Sequence, residues 1–205
     1  MNADNIYARG EYRRPKYSML RIRSMLYLGH VLRLVPIRSN HHVLEIGAGC
    51  GYLAECLKTI TPSVIGVDID PIAVMKSCKD YLQIMDAQDL KFADSSFDIV
   101  VSAHTIEHIP DIQKAFSEIE RVLRPGGFAA LIYPWEPIRG CTVLPEALFV
   151  YRTLKVCRQF HLRTLRPRKI DRLIAGSDLV QQGWKLFGGP HPMFLSVLRK
   201  GIRCE

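Results

Sequence analysis

The 205-residue chain lacks any apolar run that approaches the roughly 20 residues a membrane span needs. Its first residues include Asp4, Glu11 and several arginines rather than the apolar core of a signal peptide, so we expect a soluble, cytoplasmic protein. Internal repeats and low-complexity segments are also missing, and a composition of 48% hydrophobic and 23% charged residues excludes a disordered chain. The length suits one well-cored α/β domain.

The six cysteines include no C-x-x-C pair, so we expect no structural zinc site and predict no metal. Cys50, Cys56 and Cys78 fall within the predicted core. Reduced, packed thiols in a cytosolic protein explain them.

Charge is distributed unevenly along the chain, whose formal net charge is +8. Residues 1–34 carry seven Lys/Arg and two acids, residues 35–134 carry eight and thirteen, and residues 135–205 carry thirteen and five. The middle is therefore acidic and both flanks are basic. Within the second flank, residues 151–172 hold eight Lys/Arg and one acid.

Three glycines at alternate positions follow a short apolar run in the segment VLEIGAGCGYL, residues 43–53. The run predicts a buried strand, and the apolar spacing after it predicts a helix. Glycines in such a turn let a ligand approach the backbone, and the helix start favours an anionic group. A dinucleotide fingerprint would need a glycine where Tyr52 stands, whereas Gly51 comes one residue early, so a dinucleotide-dependent oxidoreductase is disfavoured.

Strand and helix patterns alternate after this turn. Strands are predicted at 64–69, 81–85, 97–101 and 128–133, a helix over 111–123, and a stop at Arg124-Pro125-Gly126-Gly127. Asp70-Pro71 has the pattern of a helix N-cap followed by proline. Outside this core we predict a basic amphipathic helix over 16–34, helices over 144–159 and 168–175, and strands over 184–187 and 194–198.

This alternation predicts a parallel, doubly wound α/β sheet. Ligands of such sheets bind beyond the carboxyl ends of the strands. Gly47, Asp68, Asp86 and Ser102 fall at the ends of four different predicted strands. A candidate ligand site is therefore expected at this edge.

The pattern acidic-x-G-x-G-x-G from Glu45 to Gly51 resembles the class I S-adenosylmethionine-dependent methyltransferases, in particular the ubiquinone/menaquinone-type (type 11) group. The resemblance is tight over 43–133 and loose to about 200. It implies a Rossmann-like, doubly wound sheet of seven strands with a C-terminal antiparallel hairpin, an N-terminal helix, and a helical lid after strand 5. We expect one domain, with a basic N-terminal segment (1–34), cofactor core (35–134), lid and acceptor insertion (135–178) and terminal hairpin (179–205).

The resemblance also implies S-adenosylmethionine as cofactor and assigns residues to it. Glu45 corresponds to the acid beneath the methionine moiety, Asp68 to the acid that accepts from the ribose hydroxyls, and Asp86 to the acid beside the adenine amine. A solvated strand-end acid is the alternative for Asp68, and a helix cap explains Asp70 better. The predicted cofactor residues are Glu45, Gly47, Ala48, Gly49, Gly51, Asp68, Ile69, Asp86, Ala87 and Ser102.

His104 is the candidate catalytic residue, because it follows the fourth strand in the segment SAHTIEHIPD, residues 102–111. Histidine is the usual general base for a hydroxyl at neutral pH; a purely packing or cofactor-contacting role is the alternative. Methyltransferases of base amines usually carry Asn/Asp-Pro-Pro-aromatic here, which this chain lacks. His108 is expected to be structural, whereas His161 and His191 are candidates for the acceptor pocket.

We therefore predict methyl transfer to a small or lipid-linked acceptor, at O or C. In the family the N-terminal helix and the insertion after strand 5 cover the acceptor, and both are basic here, which favours an anionic acceptor or contact with an anionic membrane surface. The alternatives are an RNA methyltransferase that uses the basic flanks and a non-catalytic cofactor-binding module. A basic run is also often only a solvated face.

Overall fold

The computed structural model describes residues 17–139, 141, 152, 161–188 and 191–202, with the side chains of 17–19 excepted. The helix predicted over 144–159 lies outside the described residues. In the described part, none of the helices is both long and apolar enough to cross a bilayer.

Seven strands form one sheet in the spatial order β3-β2-β1-β4-β5-β7-β6. The strands are β1 Val43–Ile46, β2 Val64–Asp68, β3 Leu82–Ile84, β4 Phe97–Ala103, β5 Leu123–Pro134, β6 Leu179–Phe187 and β7 Met193–Lys200. The described helices are α1 Tyr17–Leu32, α2 Tyr52–Leu57, α3 Pro71–Ser77, α4 Ile112–Val122 and α5 Pro167–Leu173. The first five strands are parallel, and β7 pairs antiparallel with both β5 and β6. The predicted doubly wound sheet and terminal hairpin are confirmed.

Two hydrophobic clusters cover the two faces of the sheet. On one face, Phe116 and Ile119 of α4 pack with Leu44, Val100 and other strand residues. On the other, α1 and α2 pack over the alternate side chains of β1 and β4. β1 is buried along its whole length, so it holds its carboxyl end firmly at the centre of the sheet.

The boundary between α4 and β5 differs from the prediction. Arg124–Gly127, expected only to stop the helix, is part of β5, which begins at Leu123 opposite Phe97. Gly126 has φ +81°, and a Cβ at Gly127 would lie 2.8 Å from the carbonyl oxygen of Asp98. The glycines therefore let the chain pass close to β4 and start pairing early, with a register shift between Phe97 and Ile99.

Helix α1 follows the predicted span but not the predicted face. Tyr27, Leu28 and Val31 are buried, whereas Met25, expected on the same apolar side, is 61% exposed. Ile22 and Leu26 are similarly exposed. Only one narrow strip of α1 packs on the domain, so the rest of its apolar surface faces outward.

Candidate functional site

The glycine turn joins β1 to α2 through three left-handed residues. Gly47, Gly49 and Gly51 have φ of +76°, +57° and +73°. The N–H groups of Gly47 and Ala48 both donate to the carbonyl oxygen of Val67, at 2.8 and 2.9 Å. These bonds hold the turn against the end of β2. Positive φ at three close positions explains why glycine is required there.

Thr105 packs directly on this turn. A Cβ built on Gly47 would lie 1.9 Å from Thr105 Oγ1 and 2.6 Å from its Cβ. The segment after β4 therefore contacts the glycine turn, and the ends of β1 and β4 form one continuous surface.

Asp68, at the end of β2, binds the backbone of two neighbouring segments. Its Oδ2 accepts from the N–H of Gly49 at 2.6 Å, and its Oδ1 accepts from the N–H of Asp70 at 2.8 Å. Asp68 therefore ties the glycine turn to the segment that leads into α3, and its contact with the ribose hydroxyls stays a prediction.

Asp70 is the N-cap of α3, as predicted. Its Oδ1 accepts from the N–H groups of Ile72 and Ala73, and Pro71 occupies the first helical position. Asp68 and Asp70 are therefore separated by role: one supports the turn and the other supports a helix.

Glu45 is a buried carboxyl beneath the glycine turn. It is 3% exposed, and its pKa is raised to about 8. Burial is the largest cause and the charge of Asp68 adds to it, while a backbone hydrogen bond from Ala54 and the charge of Lys79 oppose the shift. Within the described residues, Glu45 Oε2 has no hydrogen-bond partner. An orphaned carboxyl oxygen below the turn fits the amino group of a bound methionine moiety.

The remaining predicted cofactor residues lie along the same edge. The Asp86 carboxylate accepts from the backbone N–H and side-chain amide of Gln88, both at 2.9 Å to Oδ1. Ser102 lies inside β4 and is fully buried, because the strand continues to Ala103 instead of ending at Val101. Direct contact of its hydroxyl with a ligand therefore stays a prediction, as does that of Ile69 and Ala87.

His104 follows β4 in a strained backbone position, with φ +54°. Its Nε2 lies 2.5 Å from the hydroxyl of Tyr27 on α1, which joins the N-terminal helix to the strand end. Burial, chiefly, and the positive charge of Arg23 hold the pKa of His104 well below its usual value. The imidazole is therefore neutral at physiological pH. Phe187 of β6 packs edge-on against the ring of Tyr27.

A second buried cluster lies beside His104. Glu107, His108 and His161 bring one ligand atom each to within 4.8 Å of one another. His161 Nδ1 lies 2.8 Å from Glu136 Oε1, and both side chains are almost fully buried. Burial raises the pKa of Glu107 to about 7, while the charge of His161 opposes the shift.

Only part of this cluster is recognisable in the sequence. The adjacent Glu107-His108 pair is visible in the segment after β4, but His161 is 53 positions beyond His108, and we assigned it to an acceptor pocket. In the structure it is buried beside Glu136 and close to Glu107, and its role in an acceptor pocket stays a prediction. His191, the other candidate for that pocket, is exposed, and its role there stays a prediction.

The basic segment divides into two parts with different roles. Arg163 donates to the carbonyl oxygens of Ile106, Ile109 and Pro110, the last at 2.7 Å, so it is a structural clamp rather than a free lid charge. Four exposed cations instead line a groove of about 540 Å³ together with Thr164 and Leu173. We call this the basic groove; its cations are Arg166, Arg168, Lys169 and Arg172.

The strand order, the terminal hairpin, and a glycine turn facing a strand-end acid define a class I methyltransferase fold. Residues 44–131 match the family described as "Methyltransferase domain". Residues 44–131 thus form a methyltransferase domain of the S-adenosylmethionine-dependent class I kind, as the residues of the glycine turn indicated.

Individual relatives agree with this assignment. The chain is 31% identical over 119 residues to the uncharacterized methyltransferase YcgJ of Bacillus subtilis (54% of this chain, 47% of YcgJ). It is 30% identical over 167 residues to a probable S-adenosylmethionine-dependent methyltransferase of Mycobacterium tuberculosis (77% and 56%). A ubiquinone biosynthesis O-methyltransferase of Mesorhizobium japonicum matches at 26% over 148 residues (67% and 59%). The chain thus spans about half the length of these curated relatives.

The crystal structure of YcgJ shares the fold. It superposes with a TM-score of 0.68 at 20% identity, covering 86% of this chain and 99% of YcgJ. At that identity the likeness concerns the fold alone.

Proposed function

We propose that this protein transfers a methyl group from S-adenosylmethionine to an oxygen of an anionic small or lipid-linked acceptor. The observation that carries the proposal is the meeting, at the carboxyl ends of β1, β2 and β4, of the glycine turn, Asp68 and His104. The first two suit a nucleoside ligand with an amino-acid tail. The third is a neutral base beside them.

The protein's own residues would perform three tasks. Asp68 and Glu45 hold the donor, and Thr105 keeps the segment after β4 against the glycine turn. When bound, the donor supplies the methyl group and, through its sulfonium charge, most of the driving force. His104 takes the proton that leaves the acceptor hydroxyl as its oxygen bonds to the methyl carbon. The Tyr27 oxygen accepts from Nε2–H and so orients the imidazole, which leaves Nδ1 as the nitrogen that takes the proton.

The basic groove supports an anionic acceptor. Its four cations are exposed and belong to one short stretch, whereas the cofactor core is acidic. A field of this sign raises the local concentration of anions and steers them inward. The relative that acts in ubiquinone biosynthesis supports an acceptor of the quinone-precursor kind. The exposed apolar strip of α1, Ile22, Met25 and Leu26, would suit a lipid-linked one.

The test is a methyl-transfer screen with radiolabelled donor against anionic metabolites, anionic lipids and RNA. A groove variant, Arg166→Gln/Arg168→Gln/Lys169→Gln, should raise the acceptor KM, and the effect should fade with salt because exposed charges are screened over about 8 Å at physiological ionic strength. Its matched control removes three exposed cations elsewhere, as Arg38→Gln/Lys76→Gln/Lys114→Gln.

Affinity for S-adenosylhomocysteine should be the same in both variants. Equal acceptor KM in both would show that the groove is only a solvated face. Methylation of RNA but of no small acceptor would overturn the acceptor class.

A further inference from the structure

The buried cluster beside His104 has the composition of a transition-metal site. Two imidazoles and one carboxylate, from His108, His161 and Glu107, approach one another within 4.8 Å. Two histidines with one carboxylate form three-ligand sites for zinc and for non-haem iron, with open positions for a substrate or water. Magnesium and calcium prefer oxygen ligands throughout, so the imidazoles select a first-row transition ion.

The Glu107 carboxylate gives independent support for a bound cation. Its side chain is 1% exposed, yet neither carboxylate oxygen has a hydrogen-bond partner among the described residues. The nearest ring nitrogens, His104 Nδ1 and His108 Nε2, lie 3.7 Å from Oε1, beyond hydrogen-bond reach. A buried acceptor pair left without donors is costly. A cation between these groups would satisfy both oxygens and offset that cost.

His161 carries the outer partner that metal-binding histidines usually have. Glu136 Oε1 lies 2.8 Å from its Nδ1, in a pair that is almost fully buried. A carboxylate in this position fixes the tautomer and ring orientation of a ligating histidine.

The chain segments that carry the cluster are tied together. The N–H of Leu162 donates to the carbonyl oxygen of Glu107 at 3.1 Å, directly after His161. The guanidinium of Arg163 clamps the carbonyl oxygens of Ile106, Ile109 and Pro110. The stretch that supplies His161 is therefore anchored on the loop that supplies Glu107 and His108.

We propose that Glu107, His108 and His161 bind a divalent first-row transition ion of the zinc type, with Glu136 as the outer partner of His161. Ligand atoms about 2.1 Å from an ion lie about 3.4 Å apart in tetrahedral geometry. Since the largest separation is 4.8 Å, shifts of about 0.7 Å by each of two side chains toward the other close the set.

The ion would coordinate the methyl acceptor. The cluster continues the segment in which Thr105 touches the glycine turn, and Glu107 Oε1 is 3.7 Å from His104 Nδ1. An open coordination position here would hold an acceptor oxygen beside the base, and a bound cation lowers the pKa of a coordinated hydroxyl. This role rests on the proposed function, whereas the metal site stands without it.

The experiment measures metal binding by the full-length chain after removal of metal with a chelator. Co²⁺ is added as the spectroscopic probe, and Zn²⁺ affinity is then measured by competition with a chromophoric chelator. The variants are Glu107→Gln, His108→Asn and Glu136→Gln, with His191→Asn as the exposed histidine control. S-adenosylhomocysteine binding by each variant reports that the fold and the cofactor site are intact.

We expect one Co²⁺ per chain with visible bands typical of four or five nitrogen and oxygen ligands. Glu107→Gln and His108→Asn should each weaken Zn²⁺ binding at least 100-fold, Glu136→Gln about 10–100-fold, and His191→Asn not at all. A wild-type spectrum equal to that of aqueous Co²⁺, or Zn²⁺ affinity unchanged by both ligand variants, would overturn the site. Should Glu107→Gln fail to fold, His108→Asn alone decides. If the wild type does not bind S-adenosylhomocysteine, that result counts against the proposed function and not against the metal site.

Discussion

Separate substitutions of Asp68 and Asp70 test which of these two neighbouring acids binds the cofactor and which only stabilises the fold. Asp68→Ala removes the acceptor for the N–H groups of Gly49 and Asp70. Asp70→Ala removes the cap of α3. Both changes delete a carboxylate at the same edge of the sheet, so they form a matched pair.

The expected magnitudes follow from these contacts. A hydrogen bond to a charged group contributes about 1.5–3 kcal/mol, but Asp68 is only partly buried and water can replace part of the loss. We expect Asp68→Ala to lower the free energy of unfolding by about 1–3 kcal/mol and to weaken S-adenosylhomocysteine by about 1–3 kcal/mol, roughly 5- to 150-fold in Kd. Asp70→Ala should lower the free energy of unfolding by about 1 kcal/mol and leave Kd within about twofold.

The assay combines calorimetric titration with S-adenosylhomocysteine and urea unfolding of the wild type and both variants. Asp68→Asn, which keeps the shape but not the charge, should fall between the wild type and Asp68→Ala in both measurements. Unchanged affinity in Asp68→Ala with weakened affinity in Asp70→Ala would refute the assignment of Asp68 to the cofactor.

Further predictions concern three other positions. The pKa of Glu45 is about 8 in the folded state and 4.5 as the reference for the unfolded chain, so between these values the folded protein binds more protons. The free energy of unfolding should therefore fall as pH rises from 4.5 to 8, by up to about 1.4 kcal/mol per pH unit. Glu45→Gln should flatten that slope in urea titrations at pH 5 to 8, and an unaltered slope would show that Glu45 ionises normally. His104→Gln should keep S-adenosylhomocysteine affinity and lower methyl transfer about 10²- to 10⁴-fold; undiminished turnover would leave it only a packing role. Gly47→Ala, whose new methyl group clashes with Thr105, should lower the stability more than Gly176→Ala, where φ is also positive (+86°) but nothing lies within 4 Å. Equal losses of stability in thermal unfolding would mean that Thr105 moves aside without cost.

The fold was predictable because its signals are local. The apolar run of β1, the spacing of the glycines and the Asp70-Pro71 cap each depend on neighbouring residues, and each is confirmed. The strand ends were harder to place. Close packing at Gly127 extends β5 back to Leu123, and no local pattern marks that contact.

The long-range contacts of the site were not predictable. Arg163 belongs to a basic run that resembles a solvated lid, yet its guanidinium donates hydrogen bonds to carbonyl oxygens of the loop after β4. The pairing of His161 with Glu136, and its approach to Glu107, join residues that are far apart in the chain or lack any shared motif. Side chains that meet only through tertiary packing leave no periodic trace in the sequence.

The central claim, that the edge of the sheet binds S-adenosylmethionine rather than a dinucleotide, is tested most directly by ligand-induced stabilisation of the unmodified protein. S-adenosylhomocysteine at about 100 times its Kd should raise the free energy of unfolding by roughly 2.7 kcal/mol, whereas NAD at equal concentration should leave it unchanged. Stabilisation by NAD with none by S-adenosylhomocysteine would contradict the account.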